Sequence, residues 1–333
     1  MNVQVLSITT DISRYGGAQK VMVDVHFGLK NHLKNIKILG FQKFDRIHNK
    51  YGISKEEYIK FKNIFYLQDK IVIVHARNVM FFLYVIKRIF CLNTKFIYVS
   101  HNVYNTYKIF KFYPNIIVSI SNNVTLNLIH FFNFKPKSIR LIYNGINDVY
   151  QDNGNFFFKK DKKIKILYSA RVNSIKRQIL IVRKLKDNID SNIEIHFAGV
   201  GEDFGILSEL CKDSLNFKAL GFVNNLYEIL PKYDFLMLYS IQEGLPISLI
   251  EGIMFSKPLL INDVGGNMEI GIPEYNAIKL LNNWDELVNQ INCLNNIDDS
   301  HYKYMADNSR QLYLQKFQFN DMIKKYLDLL NEI

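Results

Sequence analysis

Short apolar runs alternate with stretches whose apolar positions recur every three and four residues, from one end of the chain to the other. The first kind predicts buried strands and the second amphipathic helices. In the first half, strands are predicted at 3–8, 36–41, 71–75, 96–100, 116–120 and 139–143, with helices at 18–30, 79–92 and 122–131. A second series places strands at 166–170, 193–198, 217–220, 235–239, 258–262 and 277–280. Its helices fall at 176–185, 203–211, 226–230, 246–255 and 284–294, and the tail 300–333 reads as one or two more.

Such alternation predicts α/β units with parallel sheets, here two Rossmann-like domains facing across a cleft. The first spans 1–150 and the second 166–315. Residues 151–165, polar and basic with Gly154 and no sustained period, read as the linker. The last segment, 316–333, is expected to cross back to the first domain as a helix. Ligands of such domains sit outside the carboxyl ends of the strands, which places the site in the cleft.

Composition narrows the class. With 333 residues, 48% apolar and 22% charged, the chain exceeds one ordinary domain and is no disordered segment. Cys91, Cys211 and Cys293 are far apart and odd in number, so neither a disulfide framework nor a zinc site is expected, and the compartment is a reducing one. The opening residues lack the basic flank and long apolar run of a secretory signal. The apolar run 79–92 is too short to span a bilayer and holds Lys87 and Arg88. A cytoplasmic location is expected.

Charge is unevenly distributed. Residues 1–150 carry 21 lysines and arginines against 7 acidic residues, a net of +14, whereas the remainder nets −3. A basic domain attracts polyanions, either nucleic acid or an anionic membrane surface. Base composition of the coding DNA and the solubilising use of lysine compete with both. No nucleic-acid motif or basic-aromatic stripe is present, so nucleic acid is not an expected partner.

Four clusters could carry chemistry. Gly16-Gly17 opens the first predicted helix after a strand, where backbone N–H groups can approach an anion. An ordinary turn before a helix explains them equally well. Arg171 and Lys176 flank the loop after the first strand of the second domain and could hold a diphosphate, or be solvated surface charge. Gly199-Val200-Gly201, followed by Gly205, departs from the dinucleotide fingerprint and reads as a tight strand-to-helix turn, without support for NAD.

The richest segment is SIQEGLPISLIE, 240–251, with Glu243 and Glu251 separated by seven residues. Pro246 suits the first helical position, leaving Glu243, Gly244 and Leu245 as the loop before it. Glu251 then lies on a helix otherwise apolar, where a carboxylate needs a partner such as a sugar or ribose hydroxyl.

Together with Gly265-Gly266, IYNGIN (143–147 with its preceding Ile142), GVGED (199–203), LGFVNNLYEIL (220–230) and VGGNMEI (264–270), these clusters resemble the GT-B retaining glycosyltransferases of family GT4. The resemblance runs nearly the whole chain, and the EGLPISLIE spacing is its most specific part. It implies that Gly16 and Gly17 give N–H groups to a donor diphosphate, and that Arg171 and Lys176 neutralise it as it departs. Glu243 would contact the donor sugar, with Gly244, Leu245 and Pro246 placing sugar and phosphate. Glu251 would bind the ribose, and Gly221, Phe222 and Val223 the base. His101 matches a histidine that many relatives have near sugar and acceptor, with Asn102 beside it. His75 and Arg77 would line the acceptor side.

Two departures from the pattern are Ala170 before the arginine and Arg177 after the lysine, where the family commonly has glycine. The absence of Asp-x-Asp argues against the metal-dependent GT-A alternative, and no metal or cofactor is expected. The implied reaction moves a hexose or N-acetylhexosamine from a nucleotide sugar, UDP-linked by family base rate. The implied acceptor is a lipid-linked or lipopolysaccharide glycan in bacterial O-antigen, outer-core or capsule synthesis. The basic first domain suits the cytoplasmic face of an anionic inner membrane. A sugar-nucleotide epimerase of the same shape, a non-catalytic assembly subunit and a nucleic-acid binder are the alternatives.

Overall fold

The computed structural model describes residues 3–106, 112–151 and 163–333, which divide into two compact units. The first comprises Met1–Gly145 and Phe319–Ile333, the second Ile146–Gln318.

In the first unit, β1 (Val5–Ile8), α1 (Gly17–Lys30), β2 (Ile36–Gly40) and β3 (Tyr58–Lys60) lead to β4 (Ile71–Val74) and α2 (Arg77–Ile89). Then follow β5 (Lys95–Ser100), β6 (Ile116–Ser119), α3 (Asn122–His130) and β7 (Ile139–Leu141). The strands form one sheet of order β3-β2-β1-β4-β5-β6-β7, with parallel pairing throughout. β4 reads Ile-Val-Ile-Val and is buried at every position, as a strand covered on both faces requires.

The second unit carries β8 (Ile164–Ser169), α4 (Gln178–Leu185), β9 (Ile193–Ala198), α5 (Phe204–Cys211) and β10 (Phe217–Gly221). It continues with α6 (Leu226–Ile229), β11 (Phe235–Leu238), α7 (Ile247–Met254), β12 (Leu259–Asn262) and α8 (Asn267–Ile270). β13 (Ala277–Leu280), α9 (Trp284–Asn292) and α10 (Asp299–Lys316) complete it. Its sheet has the order β10-β9-β8-β11-β12-β13, again parallel.

The final helix, α11 (Phe319–Asn331), packs on the first unit. Met322, Ile323, Tyr326, Leu329 and Leu330 form its buried face at helical spacing. Close approach to α1 depends on Gly28, where a Cβ would stand 2.2 Å from Ile323 Cδ1. Arg140 ties the helix end through Glu332 at 2.8 Å.

Observed and expected elements differ at their ends and in two short additions. β8 starts at Ile164, inside the segment read as linker, while residues 152–162 of that segment lie outside the described residues. β3 and α8 were not expected. Each is too short to display a period, and β3 is held by the Tyr58 hydroxyl, which donates to the Gln42 carbonyl at 2.7 Å. Among the described residues no helix is long and apolar enough to cross a membrane.

Candidate active site

In the second unit the strand order reverses between β8 and β11, so the chain leaves these neighbours in opposite directions and a crevice opens at their carboxyl ends. The loops that emerge there carry Arg171 to Lys176 on one side and Tyr239 to Leu245 on the other. Tyr168, fully buried in β8, joins them. Its hydroxyl donates to the Lys176 carbonyl at 2.6 Å and accepts the Tyr239 N–H at 3.0 Å. Burial pushes its pKa well above the ordinary phenol value, so the donating proton is retained.

Asn173 Oδ1 accepts the Lys176 N–H at 3.1 Å and closes a turn that ends with Arg177 in the left-handed region, φ 56°. The Arg177 guanidinium lies over the Tyr239 ring, 5.3 Å from its centroid. The turn directs Lys176 at Glu243, and the ammonium and carboxylate form an ion pair. The carboxylate side chain is 7% exposed and the lysine 20%, so the pair is well removed from water.

The Glu243 loop is fixed from the other side by Gly265, whose φ is 56°. A Cβ at Gly265 would stand 2.1 Å from the Glu243 carbonyl oxygen, which only glycine avoids. Gly266 N–H donates to the Gly244 carbonyl at 2.8 Å. Leu245 and Pro246 are buried behind the loop. Pro246 corrects the expectation for its position. With ψ 121° it caps α7 from outside, and the helix begins at Ile247.

Glu251 lies on α7 half-buried and accepts from the Tyr227 hydroxyl at 3.3 Å; Tyr227 in turn stacks on Phe255. Gly221 ends β10 with φ 70°, and its carbonyl accepts Gly199 N–H at 2.7 Å. Phe222 beyond it is 44% exposed, with Val223 half-buried. The Arg171 side chain is exposed, and its carbonyl accepts Gln178 Nε2 at 2.9 Å.

In the first unit the order reverses between β1 and β4. A cavity of about 470 Å³ sits there, with Thr9, Gln19, His75, Arg77, His101 and Asn102 among its lining residues. His75 directly follows β4 and His101 directly follows β5. Their rings lie 24° apart, with His75 Nδ1 2.9 Å from His101 Nε2. Burial holds His101 down to about 4; burial, then the neighbouring His101, holds His75 well below the ordinary imidazole value. The Arg77 guanidinium lies 3.8 Å from the centroid of the Phe132 ring. Gly16 caps α1 in extended conformation with no side-chain cap, and a Cβ on Gly17 would meet open space.

The sequence-predicted residues therefore fall into two groups. His75, Arg77, His101 and Asn102 share one cavity in the first unit, where Gly16 and Gly17 begin α1. Arg171, Lys176, Gly221 to Val223, Glu243 to Pro246 and Glu251 belong to the second, in which Lys176 and Glu243 meet directly. Sequence reasoning passed over Tyr168, Tyr227 and Gln19. Tyr168 stands in an apolar strand run and reads as core, and the other two have no distinguishing pattern.

Residues 150–312 match the family model described as Glycosyl transferases group 1. Over 128 residues the chain is 32% identical to the O-antigen biosynthesis glycosyltransferase WbnH of Escherichia coli, covering 38% of this chain and 36% of that protein. It is 32% identical over 162 residues to the capsular polysaccharide biosynthesis glycosyltransferase CapH of Staphylococcus aureus, covering 46% of this chain and 44% of that one. The matched regions thus span less than half of these curated relatives. The crystal structure of Anabaena Alr3699/HepE in complex with UDP is similar with a TM-score of 0.83 at 14% identity, over 99% of this chain and 100% of that chain. Two units, each a parallel sheet with flanking helices, and the likeness to that structure give the chain the GT-B fold, and residues 150–312 match the Glycosyl transferases group 1 model.

Proposed function

We propose that this chain is a retaining, metal-independent GT4 glycosyltransferase that moves a hexosyl or N-acetylhexosaminyl group from a UDP-sugar to a lipid-linked or lipopolysaccharide glycan. The observation that carries the reading is the Lys176–Glu243 pair at the β8/β11 reversal, seated by Gly265 and Gly266. The O-antigen and capsular polysaccharide biosynthesis roles of those relatives, and the UDP in the similar crystal structure, support it. In this reading the unit with β8 to β13 holds the donor, the unit with β1 to β7 holds the acceptor, 151–165 links them, and 316–333 returns to the acceptor unit.

The donor's bond from the anomeric carbon to the phosphate oxygen breaks with its electron pair going to the phosphate. Arg171 and Lys176 offset the charge that develops on the leaving diphosphate, work done elsewhere by a divalent ion. Glu243 faces the sugar as it gains oxocarbenium character and holds the Lys176 ammonium in place. The acceptor hydroxyl attacks from the face the phosphate leaves, its proton passes to the departing phosphate oxygen, and UDP is released. Glu251 binds ribose hydroxyls as an acceptor, Gly17 offers its N–H to the diphosphate while the Gly16 N–H donates to the Tyr51 hydroxyl at 3.2 Å, and the backbone of 221–223 holds the base. His101, Arg77 and Asn102 face the acceptor and the transferred sugar, and His75 lines the same cavity bonded to His101.

The +14 charge of residues 1–150 and the exposed Phe82, Val85 and Ile89 on α2 suit peripheral contact with an anionic inner leaflet. Reconstituting the chain with UDP-sugars and a lipid-diphosphate-linked sugar, in anionic or in neutral vesicles, tests this reading. The expected result is a lipid product with the donor's anomeric configuration, formed faster on anionic vesicles at about 0.1 M salt, with the advantage lost at about 1 M. An inverted product would refute retention, and isomerised free UDP-sugar would indicate an epimerase.

A further inference from the structure

We propose that His75 locks His101 as the Nδ1–H tautomer, so that His101 offers a hydrogen-bond donor, and no base, to a sugar oxygen in the cavity at the ends of β1, β4 and β5. The role in sugar binding rests on the glycosyltransferase reading; the lock itself does not.

A hydrogen bond between His75 Nδ1 and His101 Nε2 at 2.9 Å needs one proton in the bridge. With both rings neutral, two arrangements satisfy it. If His101 Nε2 donates, His75 must carry its own proton on Nε2. That atom is buried and has no hydrogen-bond partner among the described residues, so the arrangement strands an N–H donor. If His75 Nδ1 donates instead, its Nε2 keeps only a lone pair, and His101 must carry its proton on Nδ1. A stranded buried N–H is the rarer and costlier defect. The second arrangement therefore prevails, and the bond between the rings dictates the state of the nitrogen that His101 has left.

The surroundings keep both rings neutral. His75 is 3% exposed and His101 8%, and the other titratable side chains on the cavity wall are Arg77 from α2 and Tyr104 after β5, with no carboxylate among the lining residues. No carboxylate on the wall pairs with an imidazolium, and burial opposes one on either ring. A donor at His101 Nδ1 can pair with a lone pair of a sugar hydroxyl, ring or carboxylate oxygen. It cannot accept the proton of an attacking hydroxyl. His75 is thus a positioning residue, acting on substrate only through its neighbour.

Long-range ¹H–¹⁵N correlation spectra of histidine-labelled wild-type protein at pH 7 test the lock without any substrate. Signals are assigned from the His75→Asn and His101→Asn spectra. The expected pattern is a pyrrole-type Nδ1 and a pyridine-type Nε2 on both rings. A pyridine-type Nδ1 on His101 would overturn the proposal. For the role, His75→Leu is expected to lower kcat/KM about tenfold, the scale of one hydrogen bond. His75→Asn, whose amide nitrogen can donate from the Nδ1 position, is expected to recover to within about threefold. Equal losses in both variants would refute the role. If wild-type protein transfers no sugar, the glycosyltransferase reading fails, while the spectra still decide the lock.

Discussion

Lys176→Met is expected to destabilise the second unit by about 3–5 kcal/mol, more than Glu243→Gln, and the double variant is expected to recover most of the loss. The asymmetry follows from burial. Removing the lysine leaves the Glu243 carboxylate, 7% exposed, without its cation, whereas removing the carboxylate leaves an ammonium that is 20% exposed and can turn to solvent. The double variant leaves no uncompensated charge in the crevice. Trp284, the single tryptophan of the chain, packs on Tyr239 at the edge of the site, so its fluorescence in a urea titration reports on the second unit. Transfer follows a different rule. All three variants are expected to lose about 100-fold or more in kcat, because charge stabilisation at the leaving diphosphate and at the sugar goes with the side chains. A double variant that regained both stability and transfer would reduce the pair to a structural one.

Mild acid is expected to loosen the first unit more than the second. In the second, burial also holds His196 in β9 below the ordinary imidazole value, but its Glu194 partner opposes the shift. His26 in α1, His75 and His101 are buried and neutral, with His26 and His101 each held at about 4 by burial. Burial likewise keeps His75 well below the ordinary value. For a histidine whose folded pKa lies below its unfolded value near 6.5, the unfolded chain binds the proton first. Stability is then whole above about pH 6.5 and falls as the pH drops toward about 4. At pH 5 the loss is about 2 kcal/mol for each of His26 and His101. Hydrogen exchange followed by mass spectrometry at pH 7 and pH 5, corrected for intrinsic rates, should show protection falling in β1, α1, β4 and β5. Trp284 fluorescence should hold over the same range. Unchanged protection in those strands at pH 5 would mean the histidines bury no such penalty.

Much of this architecture was legible because parallel strands covered on both faces leave continuous apolar runs, as in Ile71–Val74 and Phe235–Leu238. The EGLP loop was legible because a carboxylate, a glycine and a proline ahead of an amphipathic helix form a local pattern. What joined these parts was not local. Lys176 meets Glu243 across 67 residues, and His75 meets His101 across 26. Tyr168 fixes both loops of the crevice with one hydroxyl, yet in sequence it is one more apolar strand position. Pro246 was misplaced by one residue because its φ fits helix and extended backbone alike, and ψ alone decides between them. Arg77 was read only as lining the acceptor side, and its stacking on Phe132 depends on the turn that follows α3, 55 residues away.

A calorimetric titration of the chain with UDP, GDP and ADP, repeated on Arg171→Ala and Glu251→Ala, decides whether the β8/β11 crevice is a nucleotide-sugar donor site. UDP is expected to bind preferentially, Arg171→Ala to weaken it about tenfold or more by removing a charge-assisted contact, and Glu251→Ala to do the same through the ribose hydroxyls. Binding of no nucleotide, or binding of UDP indifferent to both substitutions, would contradict a donor site at the carboxyl ends of β8 and β11.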